Sequence, residues 1–149
     1  MRNQVLNTEF RCLHCHHVVP VDPCYSGVQN RNHCPYCLWS RHLDLARAGD
    51  RMSACKGRMR PIGLALKRVS KKYRDCTSGE LMLIHQCEEC GKLSINRIAA
   101  DDFADRLFET YLGYNQLDAP IHQKLQAADI LALQTADRAV VYTRLFGVN

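Results

Sequence analysis

Residues 12–37 read C-L-H-C-H-H-V-V-P-V-D-P-C-Y-S-G-V-Q-N-R-N-H-C-P-Y-C, with one Cys-x2-Cys pair at Cys12/Cys15 and a second at Cys34/Cys37. Eighteen residues separate the pairs. Two such pairs supply four thiolates at the spacing of a tetrahedral zinc ion. Each Cys-x2-Cys turn sets its sulfurs about 3.5–4 Å apart on one side of a tight knuckle, where backbone N–H groups can also face them. Pro35 and Gly27 suit the tight turns this requires. Paired thiols in a reducing compartment hold metal rather than oxidise, so Cys12, Cys15, Cys34 and Cys37 form the first expected site.

Working outward, Cys87-Glu-Glu-Cys90-Gly91 is a third knuckle, with a glycine where such turns need a permissive backbone. Cys55 adds a third thiolate to this pair. The fourth ligand of a Cys3His shell is expected to be His85, which lies two residues before Cys87 and shares its strand face. His42, five residues after Cys37, is the alternative. Two Zn2+ ions are therefore expected. A redox role for Cys87/Cys90 would call for a thioredoxin-like βαβ context that is missing here. His14, His16, His17 and His33 lie beside the first site and are read as neighbours of the thiolates rather than ligands. Cys24 and Cys76 remain as free thiols.

The chain has 149 residues and nine cysteines, an odd number that does not suit a full disulfide framework. Its first ten residues are mostly polar, and no apolar run approaches the roughly 20 residues of a membrane helix. A cytoplasmic protein without a membrane segment is expected. The net charge of +5 is unevenly spread. Residues 1–100 carry 16 Lys/Arg against 8 Asp/Glu, whereas residues 101–149 carry 4 against 7. From Arg51 to Arg74 there are nine basic residues and no acidic one. A polyanion, nucleic acid first, is the natural partner of such a stretch.

Phe10-Arg11 leads into the first knuckle as a strand, and Trp39 is expected to anchor a small core behind the second. Ala48-Gly49-Asp50 marks a turn. Pro61–Val69 and Glu80–Cys87 read as two strands of a hairpin joined by the polar Ser70–Gly79. A weak echo relates the Cys12 and Cys87 knuckles, each followed downstream by Asn-Arg, and suggests two related zinc hairpins. Beyond Asp101-Asp102, expected to cap a helix, the apolar positions 103, 107, 108, 111 and 112 follow helical spacing. Gly113 and Asn115 end that helix. Asp118-Ala119-Pro120 opens another, which Ala136–Phe146 can continue, so the tail is expected to be a helical hairpin or a pair of short helices. The fold class is thus α+β: a small double zinc-ribbon-like β-hairpin domain over 1–103, then an α-helical tail over 104–149.

Several separated strings carry a family resemblance: Arg31-Asn32-His33-Cys34-Pro35, C-L-W-S-R-H-L-D from Cys37, Gly49-Asp50-Arg51, Cys55, Met59, Pro61-Ile62, His85-x-Cys87-x2-Cys90-Gly91 and Asn96-Arg97-Ile98-Ala99-x-Asp101-Asp102. Over about residues 10–103 the chain resembles the bacterial RNHCP domain family. The resemblance implies a small zinc-binding domain and specifies no reaction. Both His42 and His85 fall within it, so it does not choose between them.

Three functions follow from these features. The first is a non-enzymatic zinc module that binds nucleic acid, structured or ribosome-associated RNA above all. Lys56, Arg58, Arg60, Lys67, Arg68, Lys71, Lys72 and Arg74 would meet phosphates from a basic hairpin, and Tyr73 would stack on an unpaired base. The second is a protein-interaction adaptor that docks through residues 104–149. The third is an HNH-type nuclease with His17 as base. It fits poorly, because only His16 separates Cys15 from His17 and Leu38 stands where a metal-binding histidine should follow Cys37.

Overall fold

A computed structural model describes residues 9–28, 31–45, 52–68 and 79–147. The expected Ala48–Asp50 turn, most of the Ser70–Gly79 connection, Tyr73 and Cys76 lie outside these residues. The chain is α+β. β1 (Glu9–Arg11) and β2 (Val18–Pro20) form a small antiparallel hairpin, followed by the single-turn helix α1 (Pro23–Ser26). A second antiparallel sheet has the order β3-β4-β5-β6, with β3 at Ser40–Arg41, β4 at Arg58–Arg68, β5 at Gly79–Cys87 and β6 at Leu93–Arg97. The tail contributes α2 (Ala104–Gly113), α3 (Ala119–Ala127) and α4 (Arg138–Phe146). No helix among the described residues is long and apolar enough to cross a membrane.

The central β4–β5 hairpin carries near-continuous apolar sequence, as a strand pair does when both faces are covered. Its register puts Leu64 opposite Leu83 and Ala65 opposite Met82, so these pairs point to opposite faces. On one face Leu64 and Leu83 pack with Leu38, Leu107, Tyr111, Leu133 and Val141, which brings α2 and α4 onto the sheet. On the other, Ile62, Ala65, Met82 and Ile84 pack with Tyr114 and Leu125, which brings in α3. The tail therefore straddles the hairpin, crossing from one face to the other just after α2. It also covers the open edge of β4 beyond β3. The Leu133 N–H donates to the Leu64 carbonyl at 2.8 Å and the Leu66 N–H to the Leu131 carbonyl at 3.3 Å, around an Ala65–Ala132 bridge.

Two sequence expectations need correction here. Trp39 is only half-buried, and the core position behind the second knuckle belongs to Leu38, which has no exposure at all. Asp101 and Asp102 do not cap α2, whose N-cap is Phe103 without a side-chain bond. Both carboxylates are taken by partners 69 to 71 residues away in sequence.

Candidate metal centres

Three knuckles share one backbone design. The N–H of each leading cysteine donates to the carbonyl five residues on: Cys12 to His17 at 2.9 Å, Cys34 to Trp39 at 3.0 Å, and Cys87 to Lys92 at 2.9 Å. In each, the residue after the second cysteine donates back to the carbonyl of the first, from His16, Leu38 and Gly91. Those three residues all have positive φ, at 67°, 67° and 78°. Only the third is glycine, so His16 and Leu38 hold a conformation that costs an L-residue about 1–2 kcal/mol. A fixed metal site over-determines such a backbone. Two of the knuckles sit on hairpins, β1 and β2 flanking Cys12/Cys15 as β5 and β6 flank Cys87/Cys90. The downstream Asn-Arg echo goes no further, since Asn30 lies outside the described residues, Arg31 is buried against Asp101 and Asp102, and Arg97 is exposed on β6 beside Glu80.

The first site brings Cys12, Cys15, Cys34 and Cys37 together with all four sulfurs within 4.8 Å of one another. Cys12 Sγ lies 3.6 Å from Cys37 Sγ, and Cys15 Sγ lies 3.5 Å from Cys34 Sγ. Zn–S bonds of ~2.3 Å at tetrahedral angles separate sulfurs by ~3.75 Å, so the donor set fits zinc. The N–H groups of His14 and Cys15 point at Cys12 Sγ, at 3.4 and 3.5 Å. Left to themselves, four clustered thiols do not ionise together. A thiol donor from Cys37 and backbone N–H groups hold Cys34 down to about 5, against the opposing effect of burial. Loss of a proton from Cys37 is opposed by its bond to Cys34, and burial pushes Cys15 up. A dication removes this conflict by stabilising every thiolate at once.

The second site consists of His42, Cys55, Cys87 and Cys90. Cys55 Sγ is 3.6 Å from Cys87 Sγ, and His42 Nδ1 is 3.4 Å from Cys90 Sγ. The chain approaches it closely at Gly57, where an added Cβ would sit 2.9 Å from Cys87 Sγ. The Gly57 carbonyl also accepts from the His42 N–H at 2.8 Å. Burial lowers the His42 pKa and favours the neutral imidazole that ligates metal. The N–H of Lys92 is the main influence lowering Cys90. Both donor sets fit zinc, which makes two ions per chain. Zinc in such closed shells is structural.

His85, the preferred fourth ligand from sequence, is corrected to the alternative, His42. His85 shares the strand and the face of Cys87, but it is fully buried and both of its ring nitrogens are engaged away from the sulfurs. Its Nε2 lies 2.6 Å from the Leu38 carbonyl, which can only accept, so Nε2 carries the proton. Nδ1 accepts from the Asn96 side-chain amide at 2.8 Å. No lone pair is left for a metal. Burial, then the neighbouring His33, hold its pKa down to about 3, against the pull of the Leu38 carbonyl. His42→Ala is therefore expected to leave one tightly held zinc per chain by elemental analysis. His85→Ala is expected to keep two while costing about 1–3 kcal/mol through its abandoned partners. The reverse pattern would restore His85 as a ligand.

Between the sites runs a polar network that joins the second knuckle to the start of the tail. Arg31 is wholly buried and donates to Asp101 at 2.8 Å, to Asp102 at 3.4 Å, and from Nε to the His33 carbonyl at 3.0 Å. Asp102, also wholly buried in its side chain, accepts from His33 Nε2 at 2.7 Å and from the Ala99 N–H at 2.8 Å. Sequence reading missed this network because nothing local marks residues 31 and 102 as partners. The paired acidic residues after a strand were the available signal, and capping chemistry explained them equally well.

Of the basic residues named from sequence, Lys56, Arg58, Arg60 and Lys67 are exposed along the approach to β4 and on the strand itself. Arg68 has its backbone in β4. Lys71, Lys72 and Arg74 lie outside the described residues. Arg41, absent from that set, stands directly opposite Arg58 across the β3–β4 pair. His17, the candidate base of a nuclease, points Nδ1 at Cys15 Sγ at 3.2 Å and stacks on Tyr36 at 4.5 Å between ring centroids.

The family model described as RNHCP domain matches residues 7–108. Neither the curated proteins nor the solved structures compared with the chain match it.

Proposed function

The chain belongs to the RNHCP domain family, and from that premise we propose that it is a non-enzymatic structural-zinc protein that binds nucleic acid, RNA in the first place. One observation carries the reading: Arg41 and Arg58, both exposed, stand at paired positions of an antiparallel strand pair whose flanking residues His42 and Cys55 belong to the second zinc site. Like charges in that position oppose folding, and a bound phosphate turns the cost into affinity. Arg58 has a carboxylate neighbour, Glu88 at 3.6 Å, but both side chains are about half exposed and such a pair is weak. Lys56 and Arg60 extend the charge on either side. Because metal fixes the strands beneath, these side chains meet a polyanion with little loop ordering to offset their gain.

The non-enzymatic reading is supported by the closed zinc shells and by the engagement of His17 with the first sulfur cluster. A docking role for residues 104–149 has less support, since Leu107, Tyr111, Leu125 and Val141 already pack against the sheet. The test is a titration of labelled RNA and DNA with zinc-loaded protein at several salt concentrations. For three phosphate contacts on a single strand, affinity is expected to fall about 20-fold between roughly 50 and 200 mM salt. Arg41→Ala and Arg58→Ala are each expected to reduce the log–log salt slope by about one unit. Failure to bind either nucleic acid at ~50 mM salt would end the proposal.

A further inference from the structure

Beside the first zinc site lies a cleft of about 440 Å³, walled by Phe10, Arg11, His14, Trp39, Arg41 and Arg58. That volume is within the range of small-molecule pockets, about 300–1,000 Å³. Its lining combines aromatic rings with the exposed Arg11, Arg41 and Arg58, against one carboxylate, Glu9. The His14 and Trp39 rings stack with centroids 4.1 Å apart and planes inclined by 6°, and the Arg58 guanidinium lies over the indole at 5.8 Å from its centroid. His14 is placed there by the first knuckle and Trp39 by the second, so closing one metal shell assembles the stack. A half-buried tryptophan beside three arginines is a poor way to build a core. It is a good way to receive a flat, uncharged ring attached to a phosphate.

We propose that this cleft takes one unpaired nucleotide of a single-stranded nucleic acid. The base enters against the His14–Trp39 stack, and the flanking phosphates lie on Arg11, Arg41 and Arg58. The proposal rests on the nucleic-acid reading above and narrows it. A paired base keeps its faces inside the duplex, so a duplex reaches only the arginines. Stacking tolerates any base, which makes the expected preference one for strandedness rather than sequence.

Trp39 is the only tryptophan in the chain, so its emission reports on this cleft alone. Zinc-loaded full-length protein is titrated with labelled oligouridine, oligothymidine and a duplex, each about 12 units long. Both Trp39 emission and probe anisotropy are followed. Single strands are expected to quench Trp39 and to bind about 10-fold more tightly than the duplex. The oligouridine and oligothymidine arms separate RNA from DNA. Trp39→Ala is expected to abolish most of that preference, and Trp39→Phe to retain it, with duplex affinity changed less than about twofold in either. Equal binding of single and double strands with unchanged Trp39 emission would overturn the cleft proposal and leave nucleic-acid binding standing. No anisotropy rise with any probe would overturn both. The emission readout needs no variant, so misfolding of Trp39→Ala would not rescue the proposal.

Discussion

Replacing Asp102 by alanine is expected to lower stability by about 3–5 kcal/mol, the cost of leaving two buried donors without an acceptor and of taking one of two carboxylates from a buried cation. Arg31 and Asp102 are both fully buried in their side chains, and the same carboxylate holds His33 and the Ala99 N–H. Its loss strands two donors, His33 Nε2 and the Ala99 N–H, and leaves Arg31 to Asp101 and the His33 carbonyl. The damage would spread, because His33 adjoins the ligand Cys34 and the Phe103 N–H next to Asp102 donates to the Pro35 carbonyl within the second knuckle. For a chain of this length the loss corresponds to a fall in Tm of about 10–20 °C in zinc-loaded protein. Removing both ends with apolar residues, as in Arg31→Met with Asp102→Leu, is expected to cost less than Asp102→Ala alone, since the buried guanidinium is gone and Asp101, which loses its partner, is 30% exposed and reaches water. A Tm change under about 2 °C for Asp102→Ala would show that the network is incidental.

The sequence was most legible where chemistry depends on short spacing. A Cys-x2-Cys pair is a local turn, so all three knuckles and the tetrahedral shell of Cys12, Cys15, Cys34 and Cys37 were visible before any fold was known. The β4–β5 hairpin and the helical character of the tail were equally visible, because periodicity is a property of neighbours; that 119–127 and 138–146 are separate helices was not. Legibility failed where partners come from different elements. His85 had the better local argument as a ligand and His42 the better tertiary one, since only the pairing of β3 with β4 brings residue 42 beside Cys55. Asp101 and Asp102 failed in the same way: a cap needs three residues of context, and a buried ion pair needs the whole fold. The cleft was invisible for the same reason, its stacked rings coming from two separate knuckles.

Several motifs beyond the ligands now have physical reasons. Arg31, His33 and Asp102 form one network. Asn96 fixes the tautomer of His85, and His85 in turn holds the Leu38 carbonyl where the second knuckle turns. This is support for the sites from behind, in which polar side chains outside the ligand set fix the loops that carry the ligands.

Stripping both zinc ions is expected to have the largest effect of any perturbation. Structural zinc in small peptides contributes an apparent ~10–16 kcal/mol, comparable to all that a domain of this size normally holds in reserve. Without metal, Cys12, Val19 and Cys34 form too small a cluster to keep β1 and β2 together, and the positive-φ turns at His16 and Leu38 lose what maintains them. The β4–β5 hairpin and its helices have a larger apolar core of their own. Chelation is therefore expected to abolish the near-ultraviolet signal of Trp39 while part of the helical signal persists.

The most direct measurement is native mass spectrometry of reduced protein combined with thiol alkylation. With seven of the nine cysteines bound as ligands, two zinc ions per chain are expected and only two thiols, Cys24 and Cys76, should alkylate readily. A folded chain that carries no zinc, or one whose seven ligand sulfurs alkylate freely or are joined as disulfides, would contradict the account.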